Sequence, residues 1–171
     1  MLNIREAAAS DLPQILDIYN EAIRNLTSTF DLEEQTLDER MIWFKKFGGR
    51  HPIIVAELDD VVAGYSCLSS FRDKPAYVRS TEISVYIASN CRGHGIGSYL
   101  MEEILHRARE LDYRTVIGGI TGGNEASVKL HRKFGFEFVG CFKEVGFKFG
   151  EWQDVHFYQL LIKKEGDSHD S

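Results

Sequence analysis

The chain has 171 residues, 43% of them hydrophobic and 27% charged, with a formal net charge of −6. This composition fits one globular domain with a sizeable core and excludes an intrinsically disordered chain. The acidic balance argues against a nucleic-acid partner, which needs a basic surface, but leaves room for an anionic ligand held by local donors. The longest apolar runs are too short to span a bilayer and no signal peptide precedes Asn3-Ile4-Arg5, so no membrane partner is expected. Cys67, Cys91 and Cys141 are widely spaced and form no disulfide framework, and neither they nor the six histidines show metal-ligand spacing. A reducing cytoplasm is the expected compartment.

Asn3–Ala7 predicts a first strand. Ser10-Asp11-Leu12-Pro13 predicts a helix start, with Ser10 as cap and a proline in the first turn. Ile15, Ile18, Tyr19, Ala22 and Leu26 continue one face of that helix, and Thr27-Ser28-Thr29-Phe30 breaks the period as a loop. Thr36-Leu37-Asp38-Glu39 is a capping box for a second helix carrying Met41, Phe44 and Phe47, ended by Gly48-Gly49. Ile53–Leu58, an Asp59-Asp60 turn and Val61–Ser69 predict a hairpin. Phe71–Arg79 reads as a loop. Thr81–Ile87 alternates, with Ile83, Val85 and Ile87 on one face and Glu82, Ser84 and Tyr86 on the other.

From Ser98 the period becomes helical, with Leu100, Met101, Ile104, Leu105, Ala108 and Leu111 on one side. Thr115–Ile120 predicts a strand. Asn124 then caps a helix carrying Val128, Leu130, His131 and Phe134, which Gly135 ends. Glu137–Phe147 and Trp152–Ile162 predict the last two strands. Residues 1–163 are expected to form one domain, with 164–171 as a charged, frayed tail. The order of elements gives an α/β sandwich around one mixed sheet.

Between the central strand and its helix, Arg92-Gly93-His94-Gly95-Ile96-Gly97 sets three glycines at every second residue beside an arginine. Such a turn presents unpaired N–H groups and the positive end of a helix dipole, a setting for phosphate. The spacing is not the G-x-G-x-x-G of a dinucleotide-binding unit, and the Gly-Lys-Ser/Thr of a P-loop is absent. A purely structural glycine turn would look the same. Glu82 is either a solvated or paired carboxylate, with Arg79 within reach, or a base facing a cleft. His131, on an apolar helix face, is by default a core histidine with its hydrogen bonds satisfied.

Arg92-x-x-Gly95-x-Gly97 between strand and helix resembles the coenzyme A pyrophosphate loop of the GNAT superfamily of N-acetyltransferases. Asn124-x-x-Ser127-x-x-x-His131-x-x-x-Gly135-Phe136 is similar to that family's following helix, where an asparagine contacts the cofactor. The family's usual tyrosine, four residues before the Gly-Phe, is His131 here. One subfamily, the phosphinothricin and methionine sulfone or sulfoximine acetyltransferases, often has histidine at that place. Ile18-Tyr19-Asn20, Glu82–Ile87 and Val145–Val155 resemble the same subfamily, so the likeness runs from about Ile4 to Leu161.

The resemblance implies a GNAT fold, a mixed sheet of about seven strands flanked by four helices. It implies acetyl-CoA as donor, held by Val85, Tyr86, Ile87, Arg92, Gly93, His94, Gly95, Ile96, Gly97, Ser98, Asn124 and Ser127. Glu82 is then the base that deprotonates the substrate ammonium, directly or through water. His131 would donate to the departing thiolate, and the Val85 N–H would polarise the thioester carbonyl where the fourth and fifth strands splay apart. The acceptor implied is a small amino acid or analogue. Arg72 or Lys74 would hold its carboxylate or phosphinate, with Phe30, Pro75, Ala76 and Tyr77 around it and Thr29 and His156 completing the pocket. Direct attack on the thioester and a homodimer follow from the same likeness. The alternatives are a protein or peptide N-acetyltransferase and a non-catalytic acyl-CoA-binding sensor. Glu82 beside the glycine turn favours the enzyme.

Overall fold

The computed structural model describes residues 1–163; the expected tail, 164–171, lies outside the described residues. One seven-stranded sheet runs in the order β1 (Leu2–Glu6), β2 (Ile53–Leu58), β3 (Val61–Ser70), β4 (Ser80–Ile87), β5 (Thr115–Thr121), β7 (Glu151–Leu161) and β6 (Glu137–Lys148). Every neighbouring pair is antiparallel except β4 and β5. The β2–β3 reversal uses Asp59 and Asp60 with φ of 50° and 67°, a left-handed pair that suits the twist of a two-residue hairpin.

Helices α1 (Leu12–Asn25) and α2 (Leu37–Lys45) cover one face, and α3 (Ile96–Glu110) and α4 (Glu125–Lys133) cover the other. The alternation of β2, β3 and β4 divides the core accordingly. Val55, Tyr65 and Cys67 pack under α1, while Ile54, Leu68 and Ile83 pack under α3. Leu100, Met101, Ile104 and Leu105 of α3 are 0–1% exposed. Burial of side chains this size stabilises the fold by about 1.5–3 kcal/mol each, so α3 anchors its face.

Two local expectations are corrected. Ser10 does not cap α1: residues Ala9–Asp11 form a short 3-10 turn, and Asp11 Oδ2 accepts the Ala8 N–H at 2.8 Å. Arg5 pairs bidentately with the same carboxylate at 2.8 and 2.9 Å and holds it well below the usual carboxylate range. The Thr36–Glu39 capping box of α2 is present, with both reciprocal N–H bonds at 3.2 Å. Met41, however, is 40% exposed, and the side chain α2 buries is Arg40, 2% exposed. Its guanidinium carbon lies 4.0 Å from the Tyr19 ring centre and 3.5 Å from that of Trp43, and it donates to Tyr65 Oη at 2.8 Å. Those cation–π contacts replace a carboxylate partner.

The feature that makes a site is a break in the sheet. β4 and β5 pair only at Ser80–Thr115, Thr81–Val116 and Glu82–Ile117. The Ala88 N–H donates to Ala63 O at 2.8 Å, so the β3–β4 register turns the main chains of Tyr86, Ser84 and Glu82 toward β3. Those of Ile83, Val85 and Ile87 therefore face β5. Past Glu82 the parallel pairing has ended, and the Val85 N–H looks into an open wedge.

Candidate active site

The wedge continues as a cleft of about 930 Å³ that passes between β4 and β5 to the first turns of α3 and α4. Of the residues expected to hold the cofactor, Val85, Tyr86, Ile87, Arg92, Gly93, Gly95, Ile96, Gly97, Ser98, Asn124 and Ser127 line it. His94 does not. It faces a separate groove with Asn90, Cys91 and Tyr99.

At the donor end, Gly95 caps α3 with φ +76° and Gly93 has φ +83°, conformations that an L side chain adopts only with strain. A Cβ at either glycine would meet nothing within 4 Å, so the turn presents open backbone. Arg92 donates to Glu21 of α1 at 2.7 Å, which fixes its guanidinium at the rim. Lys129 and Lys133 of α4 line the same mouth, and Lys133 Nζ donates to Ser98 Oγ at 3.0 Å. Exposed helix N–H groups, left-handed glycines and three cations suit a polyphosphate. Asn124 Oδ1 accepts the Ser127 N–H at 3.2 Å and caps α4.

Glu82 is half-buried, on the face shared with Ser84 and Tyr86, just beyond the cleft wall that starts at Ile83. Arg79 does not pair with it. Arg79 instead binds Asp112, through its main-chain oxygen at 3.0 Å and its carboxylate at 3.3 Å. Among the described residues the Glu82 carboxylate makes no hydrogen bond or ion pair. Burial raises its proton affinity above the ordinary range, partly offset by nearby Arg72. A carboxylate in this state is suited to take a proton near neutral pH.

His131 is 6% exposed and packs edge-on against Phe136, with ring centres 4.9 Å apart. Its Nδ1 lies 2.7 Å from Ser127 O; a carbonyl only accepts, so Nδ1 carries the proton. Burial lowers its basicity, and this hydrogen bond opposes that only in part. The ring is therefore neutral with Nε2 as an acceptor. That nitrogen sits against β5, where a Cβ on Gly118 would approach it to 2.8 Å. In this state Nε2 has no proton to give.

The residues expected at the acceptor end do not line the cleft. Arg72 lies 4.8 Å from the Phe71 ring centre and 6.0 Å from that of Tyr77, and the two rings meet edge to face at 5.7 Å. Lys74, Pro75 and Ala76 stand exposed at the 3-10 turn Pro75–Tyr77. Phe30 lies over Gly146, where a Cβ would come within 2.5 Å of its ring. Tyr19 Oη bonds Thr29 Oγ1 at 2.9 Å and also donates to Asp31. His156 is outside the cleft, beside Cys141 and Asp154.

Leu26, Thr27 and Ser28, read from the sequence only as a helix end and a loop, also line the cleft. Four residues on three distant strands hold this segment. Lys148, 3% exposed, donates to Leu26 O at 2.7 Å and Thr29 O at 2.8 Å. Thr121 Oγ1 donates to Thr27 O at 2.6 Å, and Tyr86 Oη to Ser28 O at 3.2 Å. Gly146 leaves room for Phe30. Lys148→Met strands two carbonyls, and a stability loss of about 1–3 kcal/mol is expected in thermal unfolding. No loss would show that the lysine is not the segment's main tie.

A mixed sheet opened beside a glycine turn that starts a helix defines a GNAT acetyltransferase. The comparisons agree: residues 4–157 match the Acetyltransferase (GNAT) domain, and the chain belongs to that family. It is similar to the L-methionine sulfoximine/L-methionine sulfone acetyltransferase of Pseudomonas paraeruginosa, 38% identical with 94% of each chain covered. A GNAT superfamily phosphinothricin acetyltransferase from Sinorhizobium meliloti, solved in complex with AcCoA, is 34% identical. Its TM-score is 0.93, with 99% of this chain and 93% of that one covered. A ribosomal-protein-alanine N-acetyltransferase from Brucella melitensis is 41% identical, with TM-score 0.90 and coverage of 94% and 99%. The protein is an acetyl-CoA-dependent N-acetyltransferase. No helix among the described residues is long and apolar enough to cross a membrane.

Proposed function

We propose that the acceptor is a small amino acid or analogue of the phosphinothricin, methionine sulfone or methionine sulfoximine type. The observation that carries this reading is the unpaired, half-buried Glu82 within electrostatic reach of Arg72. A base and an arginine whose charges reach one another match the two ends of an amino acid. Arg72 takes the carboxylate or phosphinate, and Glu82 takes a proton from the ammonium. The neutral amine attacks the thioester carbonyl, the Val85 N–H faces the charge that develops on oxygen, and the C–S bond breaks as the C–N bond completes. A free thiol has a pKa near about 8.5, so the thiolate leaves with modest help. His131, neutral and held through Nδ1, packs against the middle of β5 at Gly118 rather than supplying that proton.

The Arg92–Gly97 turn and Asn124 hold the donor in this scheme, with the lysines of α4 at its phosphates. Thiol release from acetyl-CoA with a panel of amines tests the assignment. Release is expected with methionine sulfone, methionine sulfoximine or phosphinothricin. Release with peptide N-termini alone would move the chain to protein acetylation, and no release with any amine would leave a sensor.

We also propose that residues 1–163 form one acetyltransferase domain that works as a homodimer in a reducing cytoplasm. The free state of Cys67, Cys91 and Cys141 supports the compartment. Support for a dimer comes from the β6–β7 hairpin, where Phe138, Phe142, Phe147 and Trp152 are 51–62% exposed. Sedimentation should show a dimer; a monomer at micromolar concentration would remove it.

A further inference from the structure

We propose that Cys141, Asp154 and His156 form a binding site for a thiophilic divalent cation, with Zn2+ as its representative. The sequence shows no metal-ligand spacing; the register of the last hairpin creates one. Cys141 and His156 are direct partners across β6 and β7, and Asp154, two residues before His156, shares its face of the strand. One ligand atom from each lies within 4.8 Å of the others, and all three residues are half-buried. Cys141 Sγ and His156 Nε2 are 3.8 Å apart. A tetrahedral ion with bonds of about 2.3 Å to sulfur and about 2.0–2.1 Å to nitrogen sets those atoms roughly 3.5 Å apart. The sulfur and nitrogen are thus within a few tenths of an ångström of that spacing, and the Asp154 carboxylate oxygen, within 4.8 Å of both, completes the set by a larger shift of its side chain.

The carboxylate is oriented before any ion arrives. The β6–β7 register slips between Phe142 and Gly146, and Glu144 takes a left-handed φ of 53° there. Its N–H donates to Asp154 Oδ1 at 2.8 Å, which fixes the carboxylate through one oxygen and leaves lone pairs for an ion. The Gly122 N–H donates to Asp154 O at 3.0 Å and ties the turn before α4 to the same residue. Hydrogen bonds of this kind orient metal ligands and tune their basicity. Among the described residues no lysine or arginine competes for the Asp154 carboxylate. A thiolate, an imidazole and a carboxylate select zinc over magnesium or calcium, and three protein ligands leave a fourth position for water. Binding would release the thiol proton and clamp the slipped edge of β6 onto β7.

The test uses the tag-free full chain. Zn2+ titrated calorimetrically should bind one ion per chain and raise the thermal midpoint. Co2+ should give a tetrahedral visible spectrum with a thiolate-to-metal charge-transfer band. Cys141→Ser should remove the band, Asp154→Asn and His156→Ala should abolish stoichiometric binding, and Cys91→Ser should leave both intact. Thermal unfolding in chelator shows that each variant is folded. Absence of stoichiometric binding by the wild-type chain, a spectrum without the thiolate band, or binding that survives all three ligand substitutions would overturn the proposal.

Discussion

Glu82→Gln is expected to lower turnover by about 10²–10⁴-fold at neutral pH, the range for loss of a positioned general base. That corresponds to roughly 2.7–5.5 kcal/mol of barrier at 1.36 kcal/mol per decade. Acetyl-CoA affinity should be nearly unchanged, because Glu82 stands outside the wall that holds the donor. The pH profile carries a second signature. The base works only when ionised, and burial raises its pKa, so activity should fall on acidification through a point above the ordinary carboxylate range. Glutamine removes that limb. Steady-state kinetics across pH with calorimetric acetyl-CoA titration reads both, and unchanged turnover would remove Glu82 as base.

Gly95→Val should abolish tight acetyl-CoA binding while the chain still folds. Within the chain the effect is conformational, since nothing lies within 4 Å of the added Cβ. At φ +76° a β-branched residue is strained by about 1–3 kcal/mol. Relief of that strain rotates the first N–H groups of α3 away from the cleft. The new side chain also occupies the space through which a pyrophosphate approaches the backbone. Circular dichroism should show an intact fold, and calorimetry should show the lost affinity. Tight binding by a folded Gly95→Val protein would refute the assignment of the turn.

Periodicity made the sheet and helices legible because it records which face each element buries. The alternation at Ile83–Ile87 and the α3 stripe from Leu100 to Ala108 both translate into the observed core. Cleft-lining residues were legible where the wall lies on contiguous chain, as at Arg92, Gly93 and Gly95–Ser98. The capping asparagine was legible for the same reason. Sites built by convergence were not. No periodicity or motif marks Arg40 in the sequence, and only the meeting of Tyr19, Trp43 and Tyr65 makes it a core residue. Leu26–Ser28 became cleft wall through Lys148 and Thr121, about a hundred residues away in sequence. Likewise His94 sits within the glycine turn, but its side chain falls on the far side.

The three residue pairs that join β4 to β5 have a mechanical meaning. They form a seam between two antiparallel half-sheets, β1–β4 and β5–β7–β6, each continuous on its own. Thinly stitched, the seam is the natural place for the domain to loosen first, and the amides of Ile83 and Ile117 would report it in hydrogen exchange. A molecule lodged in the wedge touches both halves and acts as a rivet. At a hundred times its dissociation constant, such a ligand adds about 2.7 kcal/mol to stability. The acetyl donor is thus a reactant and also a temporary part of the architecture.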